Sequence, residues 1–310
     1  MKPVRRQIKR TTKRWKRARK RLRRWRRAAR EAKRPTPTGA PEQRPLERHT
    51  LAIGAIFRDE TPYMREWLEY HLLVGVDHFY LYDDSSGDDF QSLLAPYVSE
   101  GVVTLHGWET SAGQVVCYNA CLAAYRDHTH WLAFIDLDEY LVPVRHDTVV
   151  ECLAAYADPP AVALNWVMFS TSGHITKPNG LVLENFTRCQ TRGNRHVKVV
   201  VRPDRTKRMN TPHGGHFVGA ALAVNGRGEP TRHGKVEPPS IDPLRVNHYW
   251  TKSVEEWFTH KLRRGAISGN ALLRDAEGLL MAERSYNDGD DEVVKRFLPE
   301  LRARLDRRAG

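Results

Sequence analysis

Short apolar runs alternate with amphipathic stretches along residues 51–136 of this sequence. The runs are rich in β-branched and aromatic residues and predict strands at 51–57, 78–82, 102–105 and 131–136. Apolar positions at helical spacing predict helices between them at 62–76, 90–98 and 114–126. Because the strands recur every 24 to 29 residues with a helix between each pair, the pattern predicts an α/β fold with a doubly wound, mostly parallel sheet.

The second half of the sequence has a less regular pattern. Strand-like runs predict strands at 161–169, 181–183 and 197–201, with loops rich in Gly, Pro and His between them. Amphipathic helices are expected near 253–264 and 291–305. We therefore expect one domain over residues 51–290 with an irregular C-terminal half, followed by a C-terminal helix within 291–310.

The positive charge of the chain is concentrated at its N-terminus. Residues 1–34 contain 19 Lys and Arg and one acidic residue, whereas the other 31 Lys and Arg are outnumbered by 36 Asp and Glu. The net charge of +13 therefore belongs to one basic segment, and a specific nucleic-acid function for the folded body is not expected. A thin apolar stripe, formed by Ile8, Trp15, Leu22 and Trp25, predicts an amphipathic helix for this arm. The arm is expected to bind an anionic membrane surface, and the alternative is a solvated tail that binds polyanions without selectivity.

Residues 35–50 contain four prolines and a glycine, which predicts a linker between the arm and the folded body. No stretch approaches the roughly 18 consecutive apolar residues of a spanning helix, and the N-terminus lacks the apolar core of a signal peptide. The cysteines do not have the paired spacing of a structural zinc site and are expected to be free, buried thiols. These cysteines are Cys117, Cys121, Cys152 and Cys189. The expected location is the cytoplasm, with the arm at the inner face of the membrane.

An acidic cluster, Asp-Leu-Asp-Glu, follows the fourth predicted strand. Asp136 and Asp138 lie on the same side of an extended chain, and two carboxylates suit Mg²⁺ or Mn²⁺, which usually also bind substrate phosphates. In a parallel sheet, ligands bind beyond the carboxyl ends of the strands. The polar residues 58–60 and the acidic loop 83–89 are expected at the same edge. The alternative is an acidic turn that only solubilises the edge of the sheet.

Three stretches resemble, in the same order, the motifs of glycosyltransferase family 92 (DUF23-like) and the related family 2 group. They are AIFRDETPYMREWLEYHLLVGVDHFYLYDDSSGD, WLAFIDLDEYLVP and VNHYWTKSVEEW, and the resemblance extends from about Ala52 to Gly265. It implies a GT-A type, Rossmann-like fold and a metal-dependent glycosyltransferase that transfers a sugar, with inversion, from a nucleotide-sugar donor to a glycan or lipid-linked acceptor. A UDP-sugar is the expected donor. Arg58 and Asp59 depart from the Lys and Asn that the family commonly has at these positions. The resemblance therefore does not determine how the nucleotide base is bound.

The resemblance also implies roles for individual residues. Asp138 is implied as the principal metal ligand, Asp136 as a ligand of the ribose or the metal, and His248 as a third group on the same Mn²⁺ or Mg²⁺ ion. Such a cation neutralises the charge that develops on the departing nucleoside diphosphate. The edge that binds the nucleotide is implied to comprise Glu60, Asp83, Asp84, Ser86 and Asp88.

Other polar residues near this edge have two interpretations each. Gln114 and Asn119 either face the donor or cap and pack their helix. Lys198 and Arg202 either contact the diphosphate or lie on an exposed strand face. Asp89 is expected to be a helix N-cap.

The acceptor side is implied by the segment that contains Trp166, Phe169 and His174. Trp166 is expected either to stack on a sugar ring or to belong to the core. An inverting transfer needs a carboxylate that takes the proton of the acceptor hydroxyl. Glu184 is the first candidate for this base, and Glu139 is the second.

Two other classes of protein account for parts of the sequence. One is a non-catalytic scaffold that binds a polyanion or a membrane through its arm. The other is a phosphohydrolase with Asp136 as the nucleophile, but Tyr140 stands where a Thr or Val is expected. Convergence of Asp136, Asp138 and His248 would favour the transferase, because a scaffold does not need metal ligands that meet.

Overall fold

A computed structural model describes residues 48–108, 113–231, 234–261 and 276–309. The basic arm predicted at 1–34 and most of the linker predicted at 35–50 lie outside these residues. The first strand already begins at His49, so the folded body starts slightly earlier than the sequence pattern predicts.

The described residues form fourteen strands and eight α-helices. The strands are β1 His49–Phe57, β2 His78–Asp83, β3 Val103–Gly107, β4 Thr129–Phe134, β5 Glu139–Pro143, β6 Ala161–Met168, β7 Arg188–Cys189, β8 Asn194–Val201, β9 Thr206–Thr211, β10 Gly214–Phe217, β11 Ala223–Asn225, β12 Pro230–Thr231, β13 Leu244–His248 and β14 Gly289–Asp290. The helices are α1 Thr61–Leu73, α2 Phe90–Ser99, α3 Gln114–Tyr125, α4 Val149–Leu153, α5 Val182–Asn185, α6 Val254–Glu256, α7 Ala276–Ser285 and α8 Leu298–Ala309. Shorter 3₁₀ or π-helical turns occur at Pro203–Arg205, Val218–Ala220, Trp257–Lys261 and Val293–Phe297.

Ten of the described strands form one mixed sheet with the order β12-β11-β6-β8-β4-β1-β2-β3, and β13 pairs with both β5 and β6. β1 is parallel to β2 and to β4, and β2 is parallel to β3. The order β3-β2-β1-β4 reverses direction at β1, which creates the crevice where ligands bind in doubly wound sheets. β8 is antiparallel to both β4 and β6. The predicted α/β class and the parallel first half are thus confirmed, and antiparallel additions explain the irregular second half.

Helices cover both faces of the sheet. Along β1, Ile53 packs into the core on one face together with Trp67 of α1 and Leu301 of α8. Its neighbour Ala52 packs into the core on the other face together with Cys121 of α3. Because successive side chains of a strand point to opposite faces, a run that is apolar throughout fits a strand buried on both sides.

The four cysteines are free and buried, as expected. One of them contributes to a close contact between β1, β4 and α3. A Cβ atom at Gly54 would lie 2.9 Å from Phe134 Cε1 and 3.1 Å from Cys121 Sγ. Glycine at this position therefore allows α3 to pack closely on the centre of the sheet.

One strand prediction is wrong. Residues 181–183 do not form a strand, since Val182 and Leu183 begin the helical turn α5. Their backbone N–H groups donate to the carboxylate of Glu66 at 2.8 and 3.0 Å, so a side chain from α1 provides the capping group. Helix α1 begins at Thr61, and Glu60 occupies its N-cap position.

The C-terminal helix packs on the body of the domain. The predicted single helix at 291–305 is a 3₁₀ turn, Val293–Phe297, followed by α8. Leu301 of α8 is fully buried in the same core as α1. In the part of the chain that the structure describes, no helix has the length and apolar character needed to cross a bilayer.

Candidate active site

Two loops meet at the carboxyl ends of β1 and β2. The backbone N–H of Gly87 donates to Asp59 Oδ1 at 2.7 Å, and the N–H of Asp59 donates to Ser86 Oγ at 3.0 Å. The N–H of Thr61 donates to Asp88 Oδ2 at 3.0 Å. The predicted nucleotide edge is therefore an interlocked pair of loops, in which Ser86 and Asp88 hold the start of α1.

The paired acids at the end of β2 have different environments. Asp84 is buried and accepts a hydrogen bond of 2.6 Å from Arg58 Nη2, while Arg58 Nε donates to the backbone oxygen of Asp84. Burial raises the pKa of Asp84, although the Arg58 guanidinium opposes that effect. Asp83 is half-buried, and its Oδ1 accepts from the N–H of Ser86 at 2.8 Å. Asp84 thus neutralises Arg58, and Asp83 is the more accessible of the two.

Helix α1 fixes the position of β5, which begins directly after the Asp-Leu-Asp segment. Trp67 Nε1 donates to the backbone oxygen of Glu139 at 2.8 Å, and the Tyr70 hydroxyl donates to the oxygen of Leu141 at 3.1 Å. The N–H of Leu141 donates to His71 Nε2 at 3.1 Å, while His71 Nδ1 donates to the Trp67 oxygen at 2.8 Å. Burial lowers the pKa of His71 to about 3, so the ring is neutral and has the tautomer that these bonds require. The aromatic side chains of α1 therefore form hydrogen bonds with backbone groups on the edge of β5 that does not pair with β13.

The pairing of β13 with β5 brings the predicted metal ligands together. His248 lies opposite Glu139 in the antiparallel register. His248 Nε2 is 3.5 Å from Asp138 Oδ1, and the N–H of Tyr249 donates to the backbone oxygen of Asp138 at 2.9 Å. His248 Nδ1 is 3.7 Å from Glu139 Oε1, and both atoms are buried without a hydrogen-bond partner among the described residues. An imidazole with a carboxylate on each side is thus placed at the carboxyl end of the sheet.

The structure gives Asp136 a different set of partners. Lys198 Nζ is 3.0 Å from Asp136 Oδ2 and 3.3 Å from Glu139 Oε2. On the other oxygen, Asp136 Oδ1 accepts from Gln114 Nε2 at 2.6 Å and from the Tyr118 hydroxyl at 3.3 Å. Both carboxylate oxygens of Asp136 are therefore engaged by groups of the protein.

Glu139 and Lys198 form a buried, coupled pair. Burial raises the pKa of Glu139 to about 7, and the nearby Lys198 opposes this rise. Burial alone lowers the pKa of Lys198, but Asp136 and Glu139 together raise it well above its ordinary value. Lys198 is therefore a permanent cation, and Glu139 is the group of the pair that titrates near neutral pH.

The donor set at Asp138 and His248 fits a divalent cation. Two ligands about 2.1 Å from an octahedral ion lie about 3 Å apart, close to the 3.5 Å between Asp138 Oδ1 and His248 Nε2. A histidine that binds a metal commonly donates its other N–H to a carboxylate, and Glu139 Oε1 faces His248 Nδ1. Within the described ranges, no group of three His, Cys, Asp or Glu side chains is arranged to hold a metal. The protein thus offers two ligands, and a bound ion would take its remaining ligands from phosphate and water.

Comparison with known proteins places the chain in a family. The model of glycosyltransferase family 92 matches residues 48–263. The chain belongs to glycosyltransferase family 92. A family 92 protein of Oryza sativa subsp. japonica is 28% identical over 160 residues, which cover 50% of this chain and 27% of that protein. The galactan β-1,4-galactosyltransferase GALS3 of Arabidopsis thaliana is 33% identical over 107 residues, which cover 30% of this chain and 21% of that protein.

This family 92 chain thus matches about a quarter of the length of these two curated relatives. Among solved structures, TarS of S. aureus in complex with UDP has a TM-score of 0.34 at 13% identity. The matched region covers 50% of this chain and 47% of the TarS chain.

The two carboxylates predicted as catalytic bases contact other groups of the protein. Glu139 is fully buried below Asp136 and His248. Glu184 lies on α5, where its Oε1 is 2.5 Å from Arg302 of α8. The burial of Glu139 and the ion pair of Glu184 do not support the proton transfer that the resemblance implies, and both roles stay predictions.

Predicted acceptor residues are likewise distributed between the site and the core. Phe169 is fully buried, and its ring stacks on Tyr249 with 4.4 Å between the centroids. His174 Nε2 forms a hydrogen bond of 3.0 Å with the backbone oxygen of Asn185, away from the metal ligands. Trp166 remains at the site, since its ring lies 4.6 Å from that of His248 and 5.2 Å from that of His213.

The alternatives that the sequence left open are resolved by contacts. Gln114 lies at the site through its bond to Asp136. Asn119 instead binds both backbone groups of Met209 in β9 at 2.9 Å. Arg202 lies over the ring of Trp131 at 5.0 Å, and Lys198 is buried, so the predicted contact of these two cations with a diphosphate has no support in their positions. Asp89 is the N-cap of α2, as expected.

Sequence analysis missed a cation beside the nucleotide edge. Lys252 Nζ is 3.8 Å from Glu60 Oε2 and 3.2 Å from the centroid of the Tyr63 ring. Lys252 has a φ of 51°, in the left-handed region that non-glycine residues rarely adopt. The sequence did indicate this residue by one feature, its position four residues after His248 in the third motif.

Proposed function

We propose that this family 92 chain is a metal-dependent glycosyltransferase that transfers a sugar from a nucleotide-sugar donor to a glycan acceptor. The observation that carries the proposal is the contact between Asp138 and His248, which are 110 residues apart in the sequence and 3.5 Å apart in space. Both lie beyond the carboxyl end of the parallel strands, where doubly wound sheets bind their ligands. A non-catalytic scaffold has no use for such a pair.

In this proposal, Asp138 and His248 hold Mn²⁺ or Mg²⁺ together with the donor diphosphate. When bound, the cation neutralises the negative charge that develops on the departing diphosphate. Glu139 orients the imidazole from its Nδ1 side, as the 3.7 Å approach between the two groups suggests. Asp136 is held by Lys198 and is about one-third exposed, which suits it to accept a hydrogen bond from a ribose hydroxyl and not to bind the metal.

The nucleoside is assigned to the loops that follow β1 and β2. Asp83 is the accessible acid of that edge, and its carboxylate can accept hydrogen bonds from a base or a ribose. A UDP-sugar is the expected donor. A glycan acceptor is supported by the similarity to an Arabidopsis protein that is named a galactan β-1,4-galactosyltransferase. Inversion at the sugar and binding of residues 1–34 to a membrane remain predictions from the sequence.

The test is ligand-dependent stabilisation of the full chain. UDP with Mn²⁺ at about 100 times Kd adds about 2.7 kcal/mol to the folded state, which raises the melting temperature by about 5 °C or more for a domain of this size. Asp138→Asn and His248→Gln are expected to lose most of this rise. Asp158→Asn, which changes an exposed acid, is expected to keep it. Transfer from a panel of UDP- and GDP-sugars then identifies the donor.

The melting temperatures without ligand separate loss of binding from loss of folding. If both site variants fold normally and still show the full rise with Mn²⁺ and UDP, the assignment of the metal ligands is wrong. If the unmodified chain is stabilised by no nucleotide, with or without Mn²⁺, the proposed function itself is refuted.

A further inference from the structure

A cavity of about 770 Å³ lies beside the β9–β10 hairpin. Its apolar floor is formed by Val197 and Val199 of β8 and by Phe217 at the end of β10. Its polar lining includes Lys207, Arg208 and, beyond β12, Lys235. The volume lies in the range of about 300 to 1,000 Å³ that is typical of ligand sites, and none of the residues assigned above to the metal or the nucleotide lines this cavity.

The charge of this cavity has one sign. Among the described residues that line it, none is acidic, whereas Lys207, Arg208 and Lys235 are cations. No ion pair within the described part of the chain involves any of these three side chains. These three side chains give the cavity a cationic lining in a body that is mildly acidic after residue 34. Such a surface attracts an anionic ligand.

The cavity is separated from the candidate active site by His213 and Trp166. This residue lines the cavity, and its ring lies 5.2 Å from that of Trp166, which is 4.6 Å from the ring of His248. His213 Nδ1 donates to the backbone oxygen of Val197 at 2.8 Å. Burial lowers the pKa of His213 to about 4, so the ring is neutral and its Nε2 is a hydrogen-bond acceptor. The wall between cavity and site thus offers an acceptor for a hydroxyl group.

The hairpin that carries two of the cations is fixed in place. Asn119 of α3 accepts from the N–H of Met209 and donates to its oxygen, each at 2.9 Å. Met209 itself is buried in the core on that face. Lys207 and Arg208 directly precede this anchored residue, so the cationic lining is preformed.

We propose that this cavity binds an acidic acceptor glycan, with a carboxylate or phosphate group of the glycan at Lys207, Arg208 and Lys235. The apolar floor contacts the C–H face of a sugar ring, and the chain of the glycan runs past His213 and Trp166 toward the metal ligands. This inference rests on the proposed function and adds the chemical class of the acceptor. The three cations determine which class of glycan binds. Charge complementarity favours acidic over neutral glycans, and it contributes more to this selectivity than to the affinity itself.

Calorimetric titration of the full chain, without nucleotide or metal, tests the inference. The probes are a galacturonic acid hexasaccharide for the carboxylate, mannose 6-phosphate for the phosphate, and a neutral galactose hexasaccharide. We expect at least one acidic probe to bind at least tenfold more tightly than the neutral one, with weaker binding at high salt. The acidic probe that binds more tightly identifies which of the two anionic groups the cavity prefers.

The triple variant K207Q/R208Q/K235Q is expected to weaken binding of that acidic probe at least tenfold. A charge-matched control, R145Q/K295Q/R307Q, removes three exposed cations elsewhere and is expected to bind the probe as the unmodified chain does. Equal binding of acidic and neutral hexasaccharides, or equal weakening in both triple variants, would overturn the inference.

Two further measurements separate this inference from the proposed function. Asp138→Asn is expected to bind the acidic probe normally, and K207Q/R208Q/K235Q is expected to bind UDP with Mn²⁺ normally. If the triple variant loses UDP instead of the acidic probe, the cavity belongs to the donor and the acceptor assignment is wrong. If UDP binds to no form of the protein while the acidic probe still requires the three cations, the cavity is a glycan site and the transferase proposal fails alone.

Discussion

Replacement of Lys198 by methionine tests the electrostatics of the site most directly. Lys198 is about 1% exposed, and its ammonium lies 3.0 Å from Asp136 Oδ2 and 3.3 Å from Glu139 Oε2. Methionine has a similar length and no charge, so Lys198→Met removes the cation and keeps much of the packing. Glu139, which is fully buried, is then left without its compensating charge.

The size of the effect depends on pH. Removal of one partner from a buried ion pair costs about 3 to 5 kcal/mol, because the remaining charge is uncompensated. Glu139 escapes part of this cost when it takes up a proton, and its pKa is already raised to about 7 by burial. At pH 6 the folded protein therefore loses mainly the bond from Lys198 to the partly exposed Asp136, worth about 2 kcal/mol. At pH 8 Glu139 of the unmodified protein is mostly ionised. The variant must then either hold this charge without compensation or take up a proton, and we expect a larger loss of about 4 kcal/mol.

Urea unfolding at pH 6 and pH 8, followed by tryptophan fluorescence, measures these losses. A double-mutant cycle with Glu139→Gln isolates the pair, and we expect a coupling of about 1 to 2 kcal/mol at pH 8 and less at pH 6. Lys207→Met, at an exposed lysine, is the control and is expected to change stability by less than about 0.5 kcal/mol. Equal losses at the two pH values, or additive effects of Lys198→Met and Glu139→Gln, would refute the reasoning.

Two other predictions concern stability away from the metal ligands. Burial raises the pKa of Glu66 to about 7, so between about pH 5 and 7 the folded state holds a proton that the unfolded state has lost, and stability falls as pH rises, by about 2 kcal/mol from this group. Glu66→Gln should remove that part of the pH profile of the urea midpoint, and an unchanged slope would contradict it. Arg308→Ala removes a guanidinium that lies 3.0 Å from the buried carboxylate of Glu69 and should cost about 1 to 2 kcal/mol. Arg307→Ala, at an exposed position, should cost less than about 0.5 kcal/mol, and equal losses would contradict the role of Arg308.

The first half of the fold could be predicted because local pattern and tertiary structure agree there. The run that became β1 is apolar throughout and is buried on both faces, as a central parallel strand requires. Met64 and Trp67, which lie at helical spacing in α1, are fully buried. In this region the apolar positions in the sequence pattern are the positions that the neighbouring layers of the fold bury.

The structure of the second half of the fold depends on contacts between residues far apart in the sequence, which the local periodicity does not reveal. The run at 181–183 is as apolar as a strand, but Glu66, more than 110 residues earlier in the chain, caps it as a helical turn. The antiparallel insertion of β8 between β4 and β6 places Lys198 against Asp136. A lysine within a valine-rich strand has the local pattern of an exposed residue, so its burial could not be predicted from the sequence.

The same insertion distinguishes the two aspartates of the Asp-Leu-Asp segment. By their spacing alone they are equivalent candidates for a metal, since both lie on one side of an extended chain, and only the family resemblance named Asp138 as the principal ligand. In the structure, Asp136 faces Lys198 at 3.0 Å, whereas Asp138 faces His248 at 3.5 Å. An ammonium repels a divalent cation and a neutral imidazole can bind one. The position of Lys198 therefore supports the proposal that Asp138, and not Asp136, holds the metal.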